Sequence, residues 1–174
     1  MEEEHSRIRL FPVSFFSIIM GLAGFAIAAQ RAEEVFAFPS GVGQGGAWFS
    51  AVLFVLMAAA YGIKLLRFPE EVVKELNHPI KLSFFPTISI GLILLSVAFR
   101  AEIPILSFWL FALGAPLQLG FTLFVMSRWI SHTHFEVHHS NPSWFIPVVG
   151  NILVPIAATS HGQSEIGWFF FSIG

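Results

Sequence analysis

The stretch "NHPIKLSFFPTISIGLILLS", residues 77–96, opens as a polar turn and becomes an uncharged run broken by Pro86. Inside a helix of a water-soluble core, a proline costs about 3 kcal/mol, because it removes a hydrogen bond and crowds the preceding turn. A chain that places one there is folding in a different solvent. The run Leu82–Phe99 contains no Asp, Glu, Lys, Arg or His. Four more runs share that property: Phe11–Gln30, Ala47–Ile63, Ile103–Ser127 and Ser143–Ser160. Each comes near the ~17–25 residues that carry a helix across the hydrocarbon layer. Five such runs in 174 residues leave almost no amphipathic element to face water. The fold class is all-α and integral to a membrane.

Composition agrees and excludes several activities. Hydrophobic residues make up 55% of the chain and charged residues 11%, against roughly 25% charged in soluble domains. A formal net charge of −2 gives no basis for a nucleic-acid partner. The absence of cysteine removes disulfides, thiolate metal sites and a cysteine nucleophile. No nucleophile elbow, Walker loop or dinucleotide fingerprint occurs, so the chain is not expected to be an enzyme or to hold a cofactor.

Residues 1–10 read as a cytoplasmic tail, acidic and then basic, followed by one transmembrane domain over 11–174. The first run is long enough to span uncut, and its flanks are not those of a cleaved signal. A sixth run, "GWFFFSIG", opens at Gly167. Eight residues rise about 12 Å as a helix, less than half of the ~30 Å core. The expectation is a domain truncated within a sixth helix, a piece of a longer protein. Arg7, Arg9, Lys64, Arg67, Lys74, Lys81 and Arg128 fall on one side of the membrane, and Arg31 and Arg100 on the other. That bias puts the amino terminus in the cytoplasm of a multi-pass protein of the cell membrane.

Short connections imply antiparallel hairpins. Gly24 with Ala28, Ala47 with Ala51, and Ala58 with Gly62 have the four-residue spacing that lets helix backbones approach in lipid. "GVGQGG", residues 41–46, reads as a flexible hairpin turn, and Glu70 with Lys74 as a helix-supporting pair on a short extension of the second span. Lys64, Arg67 and Lys81 form a basic fringe that would concentrate anions.

Proline placement is the main functional signal. Pro12 and Pro142 suit a first helical turn. Pro86, Pro116, Pro147 and Pro155 are expected to kink their spans and free carbonyl groups, which need water, a hydroxyl or a neighbour inside a bilayer. "PVVGNILVP", residues 147–155, adds Gly150 and Asn151 between two prolines, a weakened helix with an amide at depth. A solute path beside these helices is the economical reading, and the absence of carboxylates in the runs leans it toward anions. The competing signal is "SHTHFEVHHS", residues 131–140, whose His134, His138 and His139 resemble one histidine box of membrane di-iron enzymes. Imidazole suits iron or zinc. Such enzymes need several boxes, and His5, His78 and His161 are isolated, so a membrane metalloenzyme using the His134–His139 cluster stands as the alternative and no metal site is assigned.

"FPVSFFSIIMGLAGFAIAAQ" in the first span, "EEVVKELNHPIKLSFFPTISIGLILLS" into the third and "NPSWFIPVVGNILVPIAA" in the fifth together resemble the tellurite-resistance TehA, malate transporter and plant slow-anion-channel family. The resemblance runs from about Phe11 to Gly174 and covers the amino-terminal half of the family pattern. It implies half of a ten-helix bundle: five helical hairpins around a central pore, usually assembled as a homotrimer. Proline-kinked odd-numbered helices line the pore, and even-numbered ones form an outer ring. On this mapping Pro86, Gly91, Pro147, Gly150, Asn151 and Pro155 shape the pore wall. The phenylalanine that closes the pore in relatives belongs to a later inner helix, so Phe15, Phe16, Phe84 and Phe85 do not inherit that role. The implied activity is passage of monovalent anions or C4-dicarboxylates such as malate through the bilayer.

Overall fold

A computed structural model describes residues 7–37, 41–131 and 141–174. The histidine-rich segment His132–His139 lies outside the described residues. Among those described, every regular element is helical. Five helices are long and apolar enough to cross a membrane: Val13–Phe36, Val42–Arg67, Lys81–Phe99, Pro104–Ser131 and Pro142–Ser160. A short helix, Pro69–Leu76, connects the second span to the third, and a final helix, Ser164–Ile173, follows the fifth.

The first and second spans pair as one hairpin, the third and fourth as another, and the fifth pairs with the final helix. The first, third and fifth spans lie side by side with the third in the middle. The second span packs on the first and third, and the fourth on the third and fifth. Buried positions on the second span are Gly43, Ala47, Ser50, Phe54, Met57, Tyr61 and Lys64, alternately four and three residues apart. This is a seven-residue seam, the spacing that lets two helices stay in register over their length.

The glycine-rich stretch 41–46 belongs to the second span and not to a turn. Only Gly41 sits in the turn, with a φ of 69°, and the helix starts at Val42. A Cβ at Gly43 would overlap the backbone of Gln30, and one at Gly46 would press on Ala26. The glycines therefore bring the first hairpin's backbones together. Of the expected small-residue pairs, Ala47 is buried in this seam, whereas Gly24 and Gly62 have no atom within 4 Å of the missing side chain.

Each of the odd spans begins with a single 3₁₀ turn before the α-helix: Val13–Phe16, Lys81–Phe84 and Pro142–Phe145. Serine followed by two aromatics recurs there, as Ser14-Phe15-Phe16, Ser83-Phe84-Phe85 and Ser143-Trp144-Phe145. The three turns are neighbours at one end of the bundle. They also correct the expectation for two prolines. Pro86 opens the α-helix Pro86–Phe99, and Pro147 stands in the first turn of Ile146–Ser160. No i−4 hydrogen bond is lost at such positions. Pro116 and Pro155 are interior, as expected.

Candidate functional site

Polar side chains buried between apolar helices are the natural place to look for chemistry, because lipid offers them no alternative partner. Midway along the bundle, Ser89 of the third span places its hydroxyl 2.7 Å from Gln118 Oε1 and 2.8 Å from Pro86 O. Gln118 Nε2 donates onward to Pro147 O at 2.8 Å and to Thr122 Oγ1 at 3.2 Å. The Thr122 hydroxyl lies 3.1 Å from Pro147 O and 3.2 Å from Asn151 Oδ1. Ser89, Gln118 and Asn151 are all fully buried. An outer span thus ties two inner spans together through one amide. Pro147 contributes a carbonyl oxygen to this cluster; its own ring bends nothing.

Of the six residues expected in a pore wall, Pro86, Pro147, Gly150 and Asn151 lie at this polar cluster, and Gly91 and Pro155 do not. A Cβ at Gly150 would collide with the Gln118 amide, and one at Gly91 would sit 3.2 Å from Phe54 and 3.3 Å from Ile19. Both glycines are close-approach positions between helices. Asn151 faces Thr122, and its Nδ2 is buried without a hydrogen-bond partner. Pro155 lies against Gly167 of the final helix. Its ring leaves the Asn151 carbonyl without a helical donor. Sequence reading missed Gln118, Ser89 and Thr122. The available signal was a single amide at 118 in an otherwise apolar run.

A second polar cluster closes the end of the bundle opposite the amino terminus. Ser96 Oγ donates to Ser107 O at 2.8 Å, and Ser107 Oγ donates to Ser96 O at 2.6 Å. Both hydroxyl protons are then committed, so His161 Nε2, 3.0 Å from Ser107 Oγ, is the donor in that contact. The imidazole stacks on Phe111 and meets Phe108 edge-on. Burial, and then the positive charge of Arg100, hold its pKa below the usual histidine range.

At the other end, Lys64 is buried and donates to Glu75 Oε1 at 2.9 Å and to Phe11 O at 2.8 Å, while Tyr61 donates to Glu75 Oε2 at 2.8 Å. Lys64 therefore leaves the expected basic fringe, because its charge is spent on Glu75. Of that fringe, Arg67 and Lys81 remain exposed. Lys74 pairs with Glu71 rather than Glu70, and Arg9 shares the same carboxylate at 2.6 Å. Hydrogen bonds from Arg9, and then from Lys74, pull the Glu71 pKa down to about 2. Among the described residues no group of three or more His and Glu side chains could hold a metal ion.

This arrangement has three parallel spans side by side, the third and fifth tied through the fourth. The family model for the SLAC1 voltage-dependent anion channel matches residues 10–174. The chain belongs to the SLAC1 family. Relatives of this SLAC1-family chain include an uncharacterized transporter of Methanocaldococcus jannaschii, 28% identical, with 88% of this chain aligned to 46% of that protein. The S-type anion channel SLAH2 of Arabidopsis thaliana is 27% identical over 94% of this chain and 33% of its own length. The tellurite resistance protein TehA homolog of Haemophilus influenzae is 26% identical over 94% of this chain and half of its own length. The chain spans about half the length, or less, of the curated SLAC1-family relatives it matches.

Proposed function

We propose that these residues form the amino-terminal part of a channel or transporter that passes small anions, either monovalent ions or C4-dicarboxylates, and that the protein is not an enzyme. The observation carrying this reading is the side-by-side packing of the first, third and fifth spans in a family of anion channels. These spans all start at the same end, so the positive ends of their helix dipoles gather there. Carboxylates of the kind that select cations do not occur within the uncharged runs. The third span turns Ser89, Leu92, Ile93 and Ser96 to the fourth span, and Gly91 and Ala98 to the first hairpin. Another face carries Pro86, Ile90, Leu94 and Val97, spaced four, four and three residues apart, with Leu94 packed on the cluster built around the first hairpin and Val97 on that of the fourth and fifth spans. We assign the conduit to that face. Ile90 is fully buried, so passage requires the odd spans to part at its level.

Three hairpins make an arc rather than a ring, and the greater length of the relatives leaves room for the hairpins that would close it. The distribution of Lys and Arg supports an amino terminus in the cytoplasm of a cell-membrane protein, and the family resemblance supports a trimer. Conductance of the natural full-length protein in planar bilayers is the test. Anion-selective current is expected, and a reversal potential that follows the cation gradient would overturn the reading.

A further inference from the structure

We infer that the cavity between the first and third spans, at the end opposite the amino terminus, is an anion-binding vestibule whose principal donor is the guanidinium of Arg100. The inference rests on the transport reading above and adds to it a site for the solute. The cavity measures about 390 Å³ and lies between Ile27, Gln30, Arg31 and Glu34 on one side and Val97 and Arg100 on the other. Its position between two neighbouring inner spans sets it at the mouth of the proposed path.

The charges around it are nearly all committed. Arg31 pairs with Glu34 at 2.6 Å. Glu33 accepts from the backbone N–H of Gly43 at 3.0 Å, and Gln30 donates to Ala98 O at 3.1 Å. The Arg100 side chain has neither an ion pair nor a hydrogen bond among the described residues, and Arg100 is exposed and lines the cavity. Of the charged side chains that line the cavity, Arg31 and Glu34 neutralise each other and Arg100 has no counter-ion among the described residues, so the uncommitted charge on the lining is positive. A guanidinium presents its N–H groups as a planar fork that matches a carboxylate or nitrate with two parallel bonds, and a halide with one. A single charge beside partly apolar walls also raises the local anion concentration, an effect that salt screens.

Arg100 acts on a second group, which provides a reporter independent of flux. After burial, its charge is the other cause of the lowered His161 pKa. No other charged side chain is among those causes: the fourth span presents Ser107, Phe108 and Phe111 to the ring, and neither Glu102 of the adjoining connection nor Glu165 of the final helix bonds to it. An anion seated on Arg100 cancels its field, so His161 then titrates at higher pH.

The experiment follows the His161 imidazole resonance, assigned with His161→Gln, in the full-length protein held in zwitterionic nanodiscs. Nitrate is the probe, and the same titration is repeated with anionic lipid in place of nitrate. In the native protein nitrate should raise the His161 midpoint saturably. Arg100→Gln should set the midpoint near the nitrate-filled value and make it insensitive to nitrate. In liposomes the same variant should lower anion flux roughly three- to tenfold at low salt, with the difference vanishing near 1 M salt, while Arg100→Lys keeps most of the flux. A native midpoint that ignores nitrate, or an Arg100→Gln protein that titrates and conducts like the native one, overturns the vestibule. A midpoint that responds to anionic lipid but not nitrate also overturns it and assigns Arg100 to a lipid phosphate. If nitrate moves the native midpoint while the protein passes no anions, the transport reading falls and the binding site stands.

Discussion

The second and third spans have almost the same mean hydropathy, 2.0 and 2.1, yet 22% of one window and 78% of the other is buried inside the protein. In water the more apolar helix would take the centre. In lipid an apolar side chain gains little by leaving the acyl chains for a protein neighbour, so hydropathy decides insertion and not position. What separates the two helices is the distribution of small and hydroxylic residues. The third span has Thr87, Ser89, Gly91 and Ser96 spread around its circumference, all buried. The second has a single buried seam and leaves Val52, Val55 and Leu56 exposed.

That contrast can be broken most sharply where, among the described residues, the lipid-facing helix is anchored by a buried ion pair. Lys64→Ala should destabilise the bundle by about 3–5 kcal/mol, because Glu75 stays buried without its counter-ion. Replacing both by apolar residues should recover much of the loss; unfolding in detergent monitored by calorimetry reads both. Next comes Ile93→Ala, at a fully buried position of the third span. A cost of about 2–3 kcal/mol is expected, the low part of the range for soluble cores because the cavity is felt but little transfer energy is lost. Leu56→Ala on the second span should change stability by no more than about 0.5 kcal/mol. Equal effects at the two sites would erase the contrast.

Smaller still is the coupling between Ser89 and Gln118. A double-mutant cycle with Ser89→Ala and Gln118→Leu should return about 0.6 kcal/mol, the usual size for a hydrogen bond within a membrane protein. The smallest effect is expected outside the lipid. Glu71 has its pKa lowered from the ordinary carboxylate value of 4.5 to about 2 by Arg9 and Lys74. A depressed carboxylate stabilises the fold above its ordinary value, and that contribution is lost as the pH falls toward about 2. Arg9→Ala should remove part of this acid sensitivity, seen as a shallower dependence of the unfolding midpoint on pH.

Much of the architecture was legible from the residues. The five spans were readable because a membrane helix must be apolar over a fixed length, and their hairpin order followed from short connections. Helix ends were less legible: the first span continues past Arg31, Glu33 and Glu34 to Phe36, since charged residues tolerate a helix that has left the hydrocarbon. Pro86 was misread because a proline one turn into an apolar run and a proline at the junction of a 3₁₀ turn with an α-helix share the same sequence pattern. Gly91 and Gly150 stand out in the sequence, but the neighbour each one admits, Phe54 or the Gln118 amide, belongs to another hairpin. Gln118 went unseen because a single uncharged amide barely perturbs the apolar run around it.

The chain's own chemistry settled its solvent, its five crossings and the rhythm of its hairpins, because transfer into lipid acts on each segment separately. Which span is most buried, which carbonyl receives the Gln118 amide and which of Arg31 and Arg100 pairs with a carboxylate were decided only in the folded bundle. Those outcomes depend on close approach and on the pairing of polar groups between segments far apart in the chain, and local composition carries no record of such pairings.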